Sequence, residues 1–155
     1  MPSANVIIVG MADLNVTKAP GVLTTLGLGS CVGIALYDLG NKIAGLAHIM
    51  LPDSTQIQNH TNVAKFADTA MVKLLADMAK LGARREALKA KIAGGAQMFA
   101  FNSTNENMRI GDRNVEATKK LLHMYKIPLI AQETGANFGR NLVINYHRAF
   151  ADSLN

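Results

Sequence analysis

The single cysteine of the chain, Cys31, has neighbours that would suit a nucleophile. It follows Gly27-Leu28-Gly29-Ser30, a turn-forming segment with little side-chain bulk. Such a turn lets a substrate approach closely and can direct backbone N–H groups at a developing negative charge. A free cysteine is also a common small buried hydrophobe, so the turn alone does not decide between a structural and a catalytic thiol.

A histidine in the following apolar segment gives Cys31 a candidate base. Residues 31–37 and 43–50 are two apolar, partly β-branched runs around a polar stretch, a pattern typical of a β-hairpin. An even hairpin loop places Cys31 directly opposite His48, or opposite Met50 with His48 as its diagonal neighbour. Both registers put the sulfur and the imidazole on one face, whereas an odd loop would separate them.

The chemistry that this pair could perform is the hydrolysis of a carboxamide. An ordinary thiol is only slightly ionised at neutral pH, and a nearby imidazole can convert it to a thiolate–imidazolium pair. The thiolate adds to the amide carbon, the imidazolium protonates the departing ammonia, and water then hydrolyses the thioester. A third group normally orients the imidazole, and Thr25 on the preceding strand is the candidate, with Thr24 on the opposite face. Threonine is a common strand residue, so spacing alone leaves the role of Thr25 open.

Other site types find little support in the sequence. Gly27-x-Gly29-x-x-x-Gly33 is one residue longer than the dinucleotide-binding fingerprint, and a strand follows it where a helix is required. The four histidines show no metal-ligand spacing, and there is one thiol, so no metal or other cofactor is expected. These histidines are His48, His60, His123 and His147.

Composition favours one globular domain over residues 1–155, with 49% hydrophobic and 17% charged residues. The formal charge of +5 comes from scattered basic residues that do not alternate with aromatic ones, which argues against nucleic-acid binding. One cysteine excludes an internal disulfide framework. With no signal-peptide pattern and no apolar run of about 18 residues, we expect a cytoplasmic protein without membrane insertion.

The hydrophobic pattern predicts a mixed α/β fold, in which two main helices pack on a mixed, largely antiparallel sheet. The i, i+3, i+4 spacing of apolar residues predicts a first helix from Val63 to Leu81, capped by Thr61 or Asn62 and ended by Gly82. A second helix is predicted over 112–125, after a polar loop over 102–108. The predicted strands are 5–9, 15–26 (broken by a turn at 18–21), 31–37, 43–50, 88–93, 127–132 and 142–146.

Five sequence blocks resemble the bacterial and archaeal chemoreceptor glutamine deamidases of the CheD family. The two most specific are Thr25-Leu26-Gly27-Leu28-Gly29-Ser30-Cys31 and Gly45-Leu46-Ala47-His48-Ile49-Met50-Leu51-Pro52. The resemblance continues through 91–99, 110–115 and 133–135 and covers roughly residues 5 to 148 in the family's order. The chain departs from the family where Ala136 stands in place of a second glycine, and where it stops at Asn155 without the longer tail of many relatives.

The resemblance implies that Cys31 is the nucleophile, His48 the base and Thr25 the third catalytic residue. It implies hydrolysis of selected glutamines on the cytoplasmic helices of methyl-accepting chemoreceptors to glutamate, on a layered mixed α/β fold, next to the receptors. It also implies a partner, the CheC-type phosphatase of the response regulator CheY, which would compete with receptors. A different class of function is a stoichiometric binding regulator of that phosphatase or of receptors, with little catalytic use.

Overall fold

Two β-sheets lie face to face, and two helices cover the outer face of one of them. The computed structural model describes residues 5–55, 62–97, 109–146 and the backbone of 148–154. The strands are β1 (Val6–Ile8), β2 (Asp13–Lys18), β3 (Val22–Leu28), β4 (Val32–Asp38), β5 (Ile43–Ile49), β6 (Lys89–Gly94), β7 (Leu129–Thr134), β8 (Gly139–Asn145) and β9 (Arg148–Leu154). The helices are α1 (Ala67–Leu81) and α2 (Ile110–Met124).

One sheet has four strands in the order β1-β3-β8-β9, and the other has five in the order β2-β5-β4-β6-β7. Only the pairs β1–β3 and β6–β7 are parallel among the described strands. The helices pack on one face of the five-stranded sheet, around Ile34, Leu36, Met71 and Leu74. The opposite face packs on the four-stranded sheet through a second apolar cluster that includes Leu23, Leu46, Leu142 and Ile144.

The mixed, mostly antiparallel α/β class with two main helices is confirmed, but the strands divide into two sheets rather than one. Every residue of β4 and β5 is buried, because these strands are covered by helices on one side and by the second sheet on the other. Apolar residues on both faces of a strand leave no two-residue alternation that would reveal which element covers each face. Strand β9 was not predicted from the sequence at all.

The first helix begins later than its apolar pattern indicates. Asn62 accepts a hydrogen bond from the Ala64 N–H and caps a short 3-10 turn over Val63–Lys65, and α1 starts only at Ala67. Thr61, the alternative cap, lies outside the described residues. Gly82 ends the helix in the left-handed conformation (φ 108°), as predicted. Among the described residues, no helix is long and apolar enough to span a lipid bilayer.

A buried carboxylate fixes the loop between β4 and β5. Because Asp38 pairs with Ile43, residues 39–42 form the loop and their number is even. The Asp38 carboxylate accepts hydrogen bonds from the backbone N–H and the side-chain amide of Asn41, and from the backbone N–H of Arg84. This loop sets the register of the two central strands and therefore the relative positions of Cys31 and His48.

We expect Asp38→Ala to lower the free energy of unfolding by about 1–3 kcal/mol, since it leaves three donors without their acceptor. Urea denaturation followed by circular dichroism measures the change. Glu86→Ala is the matched control, because it removes an exposed ion pair with neighbouring Arg84 and should change stability by less than about 0.5 kcal/mol. Equal effects of the two variants would contradict the role given to Asp38.

Candidate active site

Cys31 lies where the chain passes from one sheet to the other. Strand β3 of the four-stranded sheet ends at Leu28, and β4 of the five-stranded sheet begins at Val32. The thiol is free, and Cys31 is 8% exposed, in the apolar cluster between the sheets. The only cysteine therefore lies in a short link between the two sheets, and its backbone belongs to neither β3 nor β4.

The backbone of this link is held from outside by the segment that follows β6. Gly95 N–H donates to the Cys31 carbonyl and Ala96 N–H to the Gly29 carbonyl, each at 2.8 Å. Gly94 has φ 105°, and a Cβ at this position would collide with the Cys31 carbonyl oxygen. Glycine is thus required by both conformation and space, because a larger residue would displace the nucleophile.

His48 sits on the central strand β5, paired with Gly33 of β4 and Asp13 of β2. Of the two registers expected from the sequence, the structure has the one that places Cys31 at the level of Met50 and diagonal to His48. The side chains of Cys31 and His48 both face the space between the sheets, so the same-face prediction is confirmed. Gly33 has no side chain on this face, and a Cβ there would crowd Leu28 and Leu142.

Thr25 meets His48 across the interface between the sheets. Its Oγ1 lies 2.7 Å from His48 Nδ1 and 2.7 Å from the Val9 carbonyl oxygen. A threonine hydroxyl has one proton, and a carbonyl can only accept, so Thr25 donates to Val9 and must accept from Nδ1–H. The neutral imidazole therefore carries its proton on Nδ1 and leaves Nε2 as a lone-pair acceptor. Sequence reasoning did not anticipate the Val9 carbonyl, which no side-chain pattern reveals.

The free nitrogen of this histidine has no hydrogen-bond partner in the described part of the chain. His48 is 1% exposed, and its Nε2 is buried without a partner, so no hydrogen bond joins it to the Cys31 sulfur. A buried acceptor without a donor is costly and uncommon in folded proteins. An unprotonated ring nitrogen on the same face as a thiol is able to accept a proton from it.

Burial acts on the two titrating groups in opposite directions. It raises the pKa of the Cys31 thiol, an effect weakly opposed by the residue's own backbone N–H, and it lowers the pKa of the His48 imidazole. Both shifts favour the uncharged forms. We therefore expect proton transfer from Cys31 to His48 to accompany attack on the substrate, rather than a resting thiolate–imidazolium pair.

Asn114 of α2 is a site neighbour to which the sequence analysis gave no role in the site, although it lies in the family-like block 110–115. It is fully buried, and its Nδ2 donates to the carbonyls of Ser30 and Met50, each at 2.9 Å. Its Oδ1 has no partner among the described residues. The available signal was a polar residue on the buried face of a helix, at the spacing of Gly111, Thr118 and Leu122.

Other expected features fall partly outside the described residues. Sequence reasoning also predicts partner contacts in the loop and helix start from Asn102 to Asn114, in the Gly94-Gly95 turn and at Phe99; of these, residues 98–108 lie outside the described part of the chain. Ala136, the departure from the family's glycine, has φ 57° in the left-handed region that favours glycine. Its carbonyl accepts a hydrogen bond from the Gln97 N–H at 2.8 Å, so Ala136 lies next to the segment that follows the Gly94-Gly95 turn.

Comparisons with known proteins identify related sequences along most of the chain. A family model described as "CheD chemotactic sensory transduction" matches residues 50–150. The "Probable chemoreceptor glutamine deamidase CheD" of Lachnoclostridium phytofermentans is 60% identical over 137 residues, covering 88% of this chain and 85% of the relative. The "Chemoreceptor glutamine deamidase CheD" of Halalkalibacterium halodurans is 54% identical over 142 residues, covering 91% of this chain and 88% of the relative.

A solved structure shows a more distant likeness. The Bacillus licheniformis hypothetical protein YfiH has a TM-score of 0.47 and 15% sequence identity to this chain, covering 81% of this chain and 51% of that one. Similarity at this level supports no argument about function.

Proposed function

The chain belongs to the CheD family, and on that basis we propose that it hydrolyses glutamine side chains of chemoreceptors to glutamate. Its relatives are named for this activity and are 60% and 54% identical over most of its length. Within that activity, we assign Cys31 as nucleophile, His48 as general base and acid, and Thr25 as the residue that orients His48. The reaction needs no metal or other cofactor.

One observation carries the assignment of roles, namely the Thr25–His48 hydrogen bond that leaves Nε2 unprotonated. In the first half-reaction, Nε2 takes the Cys31 proton while the sulfur attacks the carboxamide carbon of glutamine. The Cys31 N–H, which lies near its own sulfur, is the proposed donor to the oxygen of the tetrahedral intermediate. The proton on Nε2 then passes to the leaving nitrogen, ammonia departs, and a thioester remains.

The second half-reaction returns the enzyme to its starting state. His48 Nε2 removes a proton from water, the hydroxide adds to the thioester carbon, and the carbon–sulfur bond breaks with return of the proton to sulfur. The products are a glutamate side chain and one ammonia per glutamine. Throughout, Thr25 accepts from Nδ1–H, so the ring stays oriented and its positive charge is stabilised when Nε2 is protonated.

The deciding experiment is mass spectrometry of a chemoreceptor cytoplasmic fragment incubated with the protein. Deamidation adds about one mass unit to each converted glutamine, and we expect many conversions per protein molecule. Conversion that stops at one per molecule, or none, would favour the stoichiometric binding regulator instead. The CheC-type phosphatase and a location beside the receptors in the cytoplasm remain proposals from the family resemblance.

The two adjacent threonines provide an internal test of the orienting role. Thr25→Val removes the acceptor for Nδ1–H while keeping the side-chain shape, and we expect it to lower kcat about 10- to 1000-fold. Thr25→Ser keeps the hydroxyl and should retain activity within about tenfold of the wild type. Steady-state deamidation of a receptor fragment gives both values.

Thr24→Val is the matched control, because Thr24 faces away from the site and its hydroxyl donates to the Leu142 carbonyl. We expect it to leave kcat within about threefold of the wild type. A Thr24→Val variant as slow as Thr25→Val would mean that both threonines act only through the stability of β3.

A further inference from the structure

We propose that Asn114 is a positioning residue that ties the nucleophile turn to the strand carrying His48. This inference rests on the proposed function, since it concerns the same Cys31–His48 pair. Asn114 belongs to α2, which is separated in the chain from both segments, and it touches neither sulfur nor imidazole in the described contacts. Its action is on the backbone, immediately before Cys31 and two residues after His48.

The need for such a tie arises because the β4–β5 ladder ends before it reaches the nucleophile. The last pair is Val32 with Ile49. At the next level, Met50 N–H donates to the Lys65 carbonyl at 2.8 Å, and the Cys31 carbonyl accepts from Gly95 N–H at 2.8 Å. At the level of the thiol, Cys31 and Met50 thus form backbone hydrogen bonds with other segments. No hydrogen bond of the β4–β5 ladder fixes the distance between them there.

Asn114 supplies the missing connection with a single nitrogen. The side-chain amide has two protons on Nδ2, and Nδ2 lies 2.9 Å from each of two carbonyl oxygens, that of Ser30 in the turn before Cys31 and that of Met50 just after β5. Both donors are used, while the buried Oδ1 has no partner in the described residues. The polar contacts of this buried side chain are therefore those of its donors, which hold the Cys31 turn and the end of β5 at a fixed distance.

Few other side chains could replace asparagine here. An aspartate has the same shape but presents oxygens to two carbonyl oxygens, and an alanine leaves both carbonyls without a donor. The inference therefore predicts that loss of the two donors uncouples Cys31 from His48 without removing either group. An uncoupled site would bind substrate but transfer the proton poorly.

The test compares four proteins by two readouts: the wild type, His48→Ala, Asn114→Ala and Thr118→Val. Thr118 is the matched control, because it is fully buried on the same helix and loses one hydrogen bond, to the Asn114 backbone carbonyl. The first readout is the pH profile of Cys31 alkylation by iodoacetamide, which requires no receptor and in which His48 can take the thiol proton as the sulfur attacks the reagent. The second is kcat and KM for a receptor fragment. Thermal unfolding of each variant reports any loss of stability.

We expect the Asn114→Ala alkylation profile to coincide with that of His48→Ala, and the Thr118→Val profile with that of the wild type. Asn114→Ala should also lower kcat at least about tenfold with KM within about threefold. An Asn114→Ala profile that matches the wild type would overturn the proposal, as would a Thr118→Val enzyme that is equally slow. If Asn114→Ala does not fold, Asn114→Ser replaces it, since its single hydroxyl proton can serve at most one of the two carbonyls, and failure of both to fold would assign Asn114 to stability and overturn the proposal.

The receptor-independent readout separates this inference from the proposed function. Absence of deamidation in the wild type, with the expected alkylation profiles, would refute the deamidase and leave the positioning role standing. Active wild type with identical profiles for all four proteins would refute the positioning role and the coupling of Cys31 to His48, and leave the deamidase standing.

Discussion

Cys31→Ala is expected to reduce deamidation by about 10³- to 10⁶-fold, because it removes the covalent route while the domain stays folded. Replacing the thiol by hydrogen at a small buried site should lower the free energy of unfolding by only about 1 kcal/mol. Cys31→Ser should be similarly inactive, because a serine hydroxyl is a much weaker acid than a thiol and His48 cannot readily remove its proton. Deamidation is counted by mass spectrometry, and folding by circular dichroism.

Tyr37→Phe is the control that matches Cys31→Ala most closely. Tyr37 lies in the same apolar cluster, is also 8% exposed, and loses one heavy atom in the substitution. We expect its activity to stay within about threefold of the wild type. Wild-type turnover in Cys31→Ala would remove the thiol from the mechanism, whatever the control shows.

His48→Ala should have the next largest effect, a loss of about 10²- to 10⁴-fold in kcat at neutral pH. The base must be uncharged, and burial lowers the pKa of His48, so wild-type activity should persist below about pH 6.5, the ordinary pKa of histidine, and fall as pH drops further. In His48→Ala this acidic decline disappears. The remaining rate should climb with pH toward the pKa of Cys31, which burial raises above its ordinary value.

A pH series of kcat/KM from about pH 5 to 10 measures both limbs. The control is His123→Ala, because His123 is an exposed histidine in the last turn of α2 and has no part in the proposed mechanism. Its profile should overlay that of the wild type. If wild-type activity already declined above pH 6.5 as the pH was lowered, the pKa of His48 would be raised rather than lowered. That result would contradict the effect assigned to burial of His48.

Local rules predicted much of the site. Apolar runs on either side of a polar loop predicted the hairpin, and side-chain alternation placed Cys31 and His48 on one face provided that the loop was even, as the structure shows it to be. The role of Thr25 came from the family resemblance rather than from spacing, since its contact with His48 joins two different sheets. The local pattern of polar and apolar residues does not determine which other sheet a strand packs against.

The missed elements have similar physical causes. Strand β9 mixes Arg148, Asp152 and Ser153 with apolar residues and lacks the alternation that marks a half-buried strand. Asn114 was hidden because its partners are backbone carbonyls, which every residue possesses. The 3-10 turn before α1 continues the helical spacing of apolar residues, so the pattern does not reveal where the α-helix begins.

The three proposed catalytic residues do not belong to one structural layer. Thr25 stands on the four-stranded sheet, His48 on the five-stranded sheet, and Cys31 on the link between them. A molecule whose sheets have formed but not yet docked would possess all three side chains and no competent base. If the proposed roles hold, deamidase activity should therefore appear only once the two sheets have docked, and not with the formation of either sheet alone.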